Sequence, residues 1–195
     1  MGKRIAITGG IGSGKSSVVK YLATQGFSTF SCDEIYAKVL SEPAYVQEMA
    51  KLFPSAVVDG RIDKKILSSI VFNDNVARER LNALAHPIIM QRLFALMNTA
   101  TSVSFAEVPL LFEGDYDTSF DGIIIVERND NDRAQAVCKR DGTTIAETER
   151  RMKAQEKFFK WKDNQLGKPN VWILQNDKNL ETLFDKVDAI VKQIT

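Results

Sequence analysis

Gly9-Gly10-Ile11-Gly12-Ser13-Gly14-Lys15-Ser16 follows directly on the apolar run Ile5-Ala6-Ile7. The eight residues fit G-x-x-x-x-G-K-[ST]. In such a segment a buried strand fixes the loop base, and glycines adopt backbone angles that a Cβ would forbid. Consecutive N–H groups then turn inward as an anion nest at a helix N-terminus. At average residue frequencies the pattern arises by chance at roughly 4 in 100,000 positions. With a strand before it and helix-compatible Ser17-Val18-Val19-Lys20-Tyr21-Leu22 after it, an ordinary glycine-rich turn is set aside. The segment reads as a phosphate loop for a nucleoside triphosphate such as ATP. Its lining would be Gly10, Ile11, Gly12, Ser13, Gly14, Lys15, Ser16 and Ser17, with Lys15 on the β- and γ-phosphates and the Ser16 hydroxyl on Mg²⁺.

Outward from the loop, strand-like runs alternate with helical ones, the signature of an α/β domain with a mainly parallel sheet. Expected strands are Arg4–Thr8, Phe27–Cys32, Val103–Val108, Gly122–Val126 and Val171–Gln175, and the first opens into a helix over 15–25 that Gly26 ends. Between Asp33 and Asn98 no strand is expected. Helical patterns run over Glu34–Leu40, Ala44–Phe53, Asp63–Phe72 and Asn75–Asn98, with Asp59-Gly60 as a turn. That is too much helix for one crossover, so it reads as an inserted lobe, whose natural task in phosphoryl transfer is to hold the acceptor. Further helices are expected over Asn131–Arg140, Ile145–Lys162 and Asn179–Ile194. The middle one carries Arg150, Lys153, Lys157 and Lys160 on one face, either a solvated stripe or a lid over the phosphates.

The whole chain narrows the class. Its 195 residues, 44% hydrophobic, suffice for one core with an appended lobe. With 26 basic against 25 acidic residues, no global charge points to nucleic acid or a membrane surface. No apolar stretch approaches the roughly 18 residues of a membrane span, and no signal-peptide core precedes Thr8. Cys32 and Cys138 lack metal or redox spacing and read as ordinary buried thiols. A soluble cytoplasmic enzyme is expected.

Candidates for chemistry come from strand ends, because ligands of parallel sheets sit outside the carboxyl ends of the strands. Asp33 follows the second strand, where a carboxylate can orient an attacking hydroxyl and take its proton. An N-cap is an equal reading of Asp33, with Ser31 a competing cap. Glu107 and Glu113 flank Val108-Pro109-Leu110-Leu111-Phe112. Either could help hold Mg²⁺, and neither matches a Walker-B position cleanly. His86, the single histidine, precedes Pro87 within a helical pattern, so the pair marks a kink or a junction between two helices. Phe158, Phe159 and Trp161 read as core residues sooner than as a base-stacking platform.

Together these residues resemble the dephospho-CoA kinase family. Thr8 to Ser16 is similar to its T-G-G-I-G-S-G-K-S, and Leu84-Ala85-His86-Pro87 to its L-x-H-P. Val108-Pro109-Leu110-Leu111-Phe112-Glu113 matches V-P-L-L-x-E, while Arg140-Asp141 and Ala154-Gln155 resemble the R-D and A-Q near its lid. The resemblance implies a P-loop NTPase-type sheet flanked by helices, with a nucleotide core over about 1–33 and 100–195. It adds a helical acceptor lobe over about 34–99 and a helical lid over about 141–168. The implied reaction phosphorylates the ribose 3′-hydroxyl of dephospho-CoA with ATP and Mg²⁺. Asp33 would be the base, and Lys15 with the loop amides would stabilise the phosphoryl group. Arg140 would neutralise phosphate charge, and His86 and Glu113 would fall in the acceptor region.

Departures are local. Ser31 stands where the family has the first acid of D-A-D. The Q-x-x-R before Arg140 reads Arg133-Ala134-Gln135-Ala136, which leaves Arg133, two turns earlier on the same face, as a substitute. Asn176-Asp177-Lys178 replaces N-x-G. Another small-molecule kinase would share the loop but not the H-P and V-P-L-L-x-E pair. A GTP-dependent switch would need N-K-x-D, and a non-catalytic nucleotide module would not need the acid after the second strand.

Overall fold

The computed structural model describes residues 2–155, 161–165 and 167–195. Contacts divide the chain into two compact units, Met1–Phe30 with Met97–Thr195, and Ser31–Leu96.

In the first unit, strands β1 (Arg4–Thr8), β5 (Ser104–Glu107), β6 (Gly122–Glu127) and β7 (Val171–Gln175) join β2 (Ser28–Ser31) in one sheet of order β2-β5-β1-β6-β7. β1 runs parallel to both β5 and β6, and β6 parallel to β7. A strand covered on both faces must be apolar throughout rather than alternating, which is why Ile5, Ala6 and Ile7 are all buried. Helices α1 (Lys15–Thr24) and α8 (Leu180–Ile194) supply Val18, Leu22, Leu183 and Val187 to a core with Ile5, Ile7, Phe105 and Ile124. Removing a ring buried as fully as Phe105 typically costs about 3–5 kcal/mol. Asn179 caps α8 by accepting from Thr182 N–H at 2.9 Å, and Tyr21 of α1 stacks on Phe184 of α8 at 4.1 Å. The core therefore clamps the strand whose carboxyl end becomes the phosphate loop.

Helices α6 (Asp130–Asp141) and α7 (Ile145–Lys153) follow β6. The single helix expected over Ile145–Lys162 is corrected here: α7 stops at Lys153, and its end tightens through a Gln155 N–H bond to Met152 O at 3.0 Å. Periodicity misses such a stop because no glycine or proline marks it. Lys157, Lys160, Phe158 and Phe159 lie outside the described residues, and Trp161 is half-buried. Cys138, expected to be buried, is half-buried and meets Thr148 Oγ1 at 3.3 Å, while Cys32 is buried as expected.

The second unit holds α2 (Cys32–Val39), α3 (Pro43–Leu52), α4 (Lys64–Asn73) and α5 (Asn75–Met97, up to Leu96). Its helices are joined by local devices: Tyr36 and Tyr45 meet edge to face at 6.1 Å, and Glu42 pairs with Arg92. It is not strand-free. Val57–Val58 (β3) and Arg61–Ile62 (β4) pair antiparallel across Asp59-Gly60, both at positive φ, as a two-residue hairpin turn demands. Two-residue strands are too short to show alternation, so the sequence displays the turn alone. Nor is His86-Pro87 a junction, because α5 continues through Pro87 as one helix. Among the described residues no helix is long and apolar enough to cross a membrane.

Candidate active site

β1 delivers the chain into residues 9–14, and α1 begins at Lys15, so the loop lies between a buried strand end and a helix N-terminus. Lys15 is buried, and its Nζ donates to Gly9 O at 2.9 Å and Gly10 O at 3.2 Å. The cation thus stays with the loop, on the positive side of the helix dipole. That concentration of positive potential suits a polyanion. Ser13 adds a buried hydroxyl with no hydrogen-bond partner among the described residues. Ser17 sits in the first turn of α1, its N–H bonded to Gly14 O at 3.0 Å.

Ser16 Oγ donates to Glu107 Oε1 at 3.0 Å. Glu107 ends β5, beside β1 in the sheet, and is buried. This resolves part of an ambiguity in the sequence: of the two acids around Val108-Pro109-Leu110-Leu111-Phe112, Glu107 is the one that meets Ser16. A hydroxyl and one carboxylate are hard oxygen donors of the kind Mg²⁺ takes when phosphates complete its shell. Among the described residues no cluster of three or more His, Cys, Asp or Glu could hold a metal without such help.

Glu113 lies beyond β5, with Oε2 buried and unbonded among the described residues. Burial pushes its carboxyl above the ordinary range, against the opposing pull of its own backbone and of Lys15. Arg140 is mostly exposed and grips Asp141 through Nε at 2.7 Å and Nη2 at 3.1 Å. Arg151 also reaches Asp141, at 3.2 Å, so two guanidinium groups hold that carboxyl below its usual range, Arg140 contributing most.

Three further side chains brace the loop. Asn176, at the end of β7, donates to Ser13 O at 2.8 Å. Gln155 Oε1 accepts from Ile11 N–H at 2.7 Å, and Arg133 Nε donates to Ile11 O at 2.9 Å. Sequence reading finds Asn176 only as a departure from a family pattern. The available signal was its place directly after a parallel strand. A pocket of about 400 Å³ opens beside the loop, lined by Gly10, Ser13, Asn129, Arg133, Lys162 and Asp177 among others.

Asp33 and His86 belong to the second unit. Asp33 is exposed in the first turn of α2, and the cap of that helix is Ser31, whose side chain accepts from Glu34 N–H at 3.4 Å. Between the two readings of Asp33, the cap is therefore taken by its neighbour and the carboxylate stays available. It lines a cleft of about 320 Å³ with Tyr36, Lys64, Leu67 and Leu81. His86 is half-buried in α5, and burial lowers its pKa, favouring the neutral ring.

Residues 3–182 match the family model for dephospho-CoA kinase. The chain belongs to the dephospho-CoA kinase family. A dephospho-CoA kinase of Fusobacterium nucleatum is 36% identical over 97% of this chain and 97% of its own length. Another, from Thermus thermophilus, is 32% identical over 98% and 91%. A solved Thermus thermophilus structure superposes with a TM-score of 0.83 at 30% identity, covering 100% of this chain and 98% of the other. Membership in the dephospho-CoA kinase family agrees with the loop, the parallel sheet and the order of the motifs.

Proposed function

We propose that this chain transfers the γ-phosphoryl group of ATP to the ribose 3′-hydroxyl of dephospho-CoA, releasing CoA and ADP. The observation that carries the reading is the family match over 3–182 in a chain whose phosphate loop joins Lys15, Ser16 and Glu107 in one site. Phosphoryl transfer passes through a loose transition state, so catalysis is mostly positioning and charge stabilisation. Asp33 takes the 3′-hydroxyl proton as the new O–P bond forms and the bond to ADP breaks. Lys15 and the loop amides hold the phosphate oxygens in both ground and transition states, the Ile11 and Ser17 N–H groups being engaged by Gln155 and Gly14 instead. Ser16 and Glu107 would hold Mg²⁺, which would supply positive charge against the triphosphate. Arg140 neutralises phosphate charge from the lid side. His86 and Glu113 are assigned to acceptor binding. We place the reaction in the cytoplasm, a setting that suits two free cysteines.

Product analysis with ATP and dephospho-CoA tests the reading. CoA and ADP should form in equal amounts, and phosphorylation of some other acceptor with no CoA formed would refute it. Asp33→Asn should lower kcat by about 10²–10⁴-fold while ATP binding stays close to wild type. An equal loss of ATP affinity would instead assign Asp33 to metal binding or folding.

A further inference from the structure

Among the described residues two cations are buried, Lys15 and Arg133, and both sit on the phosphate loop. Lys15 belongs to the loop motif. Arg133 does not: it lies on α6, over 100 positions away in the chain, and its side chain is 3% exposed. Its Nε donates to Ile11 O at 2.9 Å and its Nη1 to Asp130 at 2.8 Å. The fit is close. A Cβ on Gly10 would fall on the guanidinium, and one on Gly12 would meet the Arg133 backbone. The glycines thus admit both the anion on one side and this arginine on the other.

On the N–H side of the same residue, Gln155 Oε1 accepts from Ile11 at 2.7 Å. Ile11 N–H belongs to the peptide plane before Ile11 and Ile11 O to the plane after it. Holding both planes fixes φ and ψ of Ile11 between two glycines, where the backbone is freest. A loop set in advance spends less ordering entropy when the polyanion arrives.

We propose that Arg133 is a positioning residue of the phosphate loop, acting through Ile11 with Gln155 as its counterpart on the opposite peptide plane. The inference rests on the reading of the loop as the ATP site. A neutral side chain could fill the space beneath Gly10 without burying a charge. Asp130, which pairs with Arg133 at 2.8 Å, is 78% exposed. Lysine cannot reproduce the fork that reaches Ile11 O and Asp130 together.

The test measures ADP binding by titration calorimetry, and KM for ATP and dephospho-CoA, in Arg133→Gln, Arg133→Lys, Gln155→Leu and the Arg133→Gln/Gln155→Leu pair. Arg133→Gln should weaken ADP binding about tenfold or more. It should also raise KM for ATP while leaving that for dephospho-CoA unchanged. Gln155→Leu should give a smaller loss of the same kind, and the pair should lose less than the product of the singles, because both act on Ile11. Arg133→Lys should fail to restore binding. Wild-type ADP affinity in Arg133→Gln, full rescue by lysine, or strictly multiplicative losses would each overturn the proposal. Should Arg133→Gln not fold, Gln155→Leu decides alone through the same KM split. ADP binding needs no acceptor, so a different acceptor specificity leaves this test intact. A wild-type chain that binds no nucleotide would overturn the ATP reading itself.

Discussion

Glu113 combines a buried, unbonded carboxylate oxygen with a pKa raised by desolvation. A carboxyl whose folded pKa exceeds its unfolded value favours the folded state when protonated. That contribution is complete below the ordinary carboxylate pKa and is lost as pH rises through the folded value. Glu113→Gln should therefore raise the thermal midpoint at neutral pH and leave it near wild type well below pH 4. Midpoints measured across that range check the sign, and a variant less stable at neutral pH would contradict it. Legibility at this scale was uneven. The loop residues are legible because their spacing is itself the geometry. Arg133 and Asn176 act on Ile11 and Ser13 from far along the chain, and no local pattern encodes such a pairing. Ser31 and Asp33 illustrate a third case. Both are good caps, and only the helix start at Cys32 assigns the role to Ser31.

At the scale of elements, α5 keeps Pro87 in its interior, where proline removes the bond to Ala83 O and crowds the preceding turn. Pro87→Ala restores that donor and should stabilise the chain by about 1–3 kcal/mol, read by urea unfolding. If His86 serves the acceptor, the same variant should raise KM for dephospho-CoA, because the ring sits one residue before the altered turn. No gain in stability would mean that packing has absorbed the proline. Strand and helix types were legible for the five sheet strands and the long helices, where burial imposes a period. Hidden were the β3–β4 hairpin, too short for a period, and the end of α7. There a tightened last turn and a side chain committed to Ile11 stop the helix without a breaker residue.

For the whole molecule, the division at Ser31 and Met97 separates the residues proposed for nucleotide from Asp33 and His86, while Glu113 stays in the first unit. Hydrogen exchange makes the division measurable. A non-hydrolysable ATP analogue should slow exchange mainly over 9–17, and dephospho-CoA mainly within 31–96. Protection of 31–96 by the ATP analogue alone would remove the division of labour. In the sequence a stretch without sheet-type apolar runs separates two strand patterns, and contacts group Ser31–Leu96 as one compact unit. Its limits at the residue level depend on contacts that sequence periodicity does not carry.

Lys15 and Arg133, buried on one glycine-rich loop, have a practical consequence for anyone who handles the protein. Charges shielded from solvent are poorly screened by simple salt, so chloride will do little to discharge the loop, while small oxyanions can sit in it. Phosphate and sulfate should therefore raise the apparent KM for ATP, which initial rates measured with and without sulfate would check. Kinetics recorded in them would describe a competed nucleotide site.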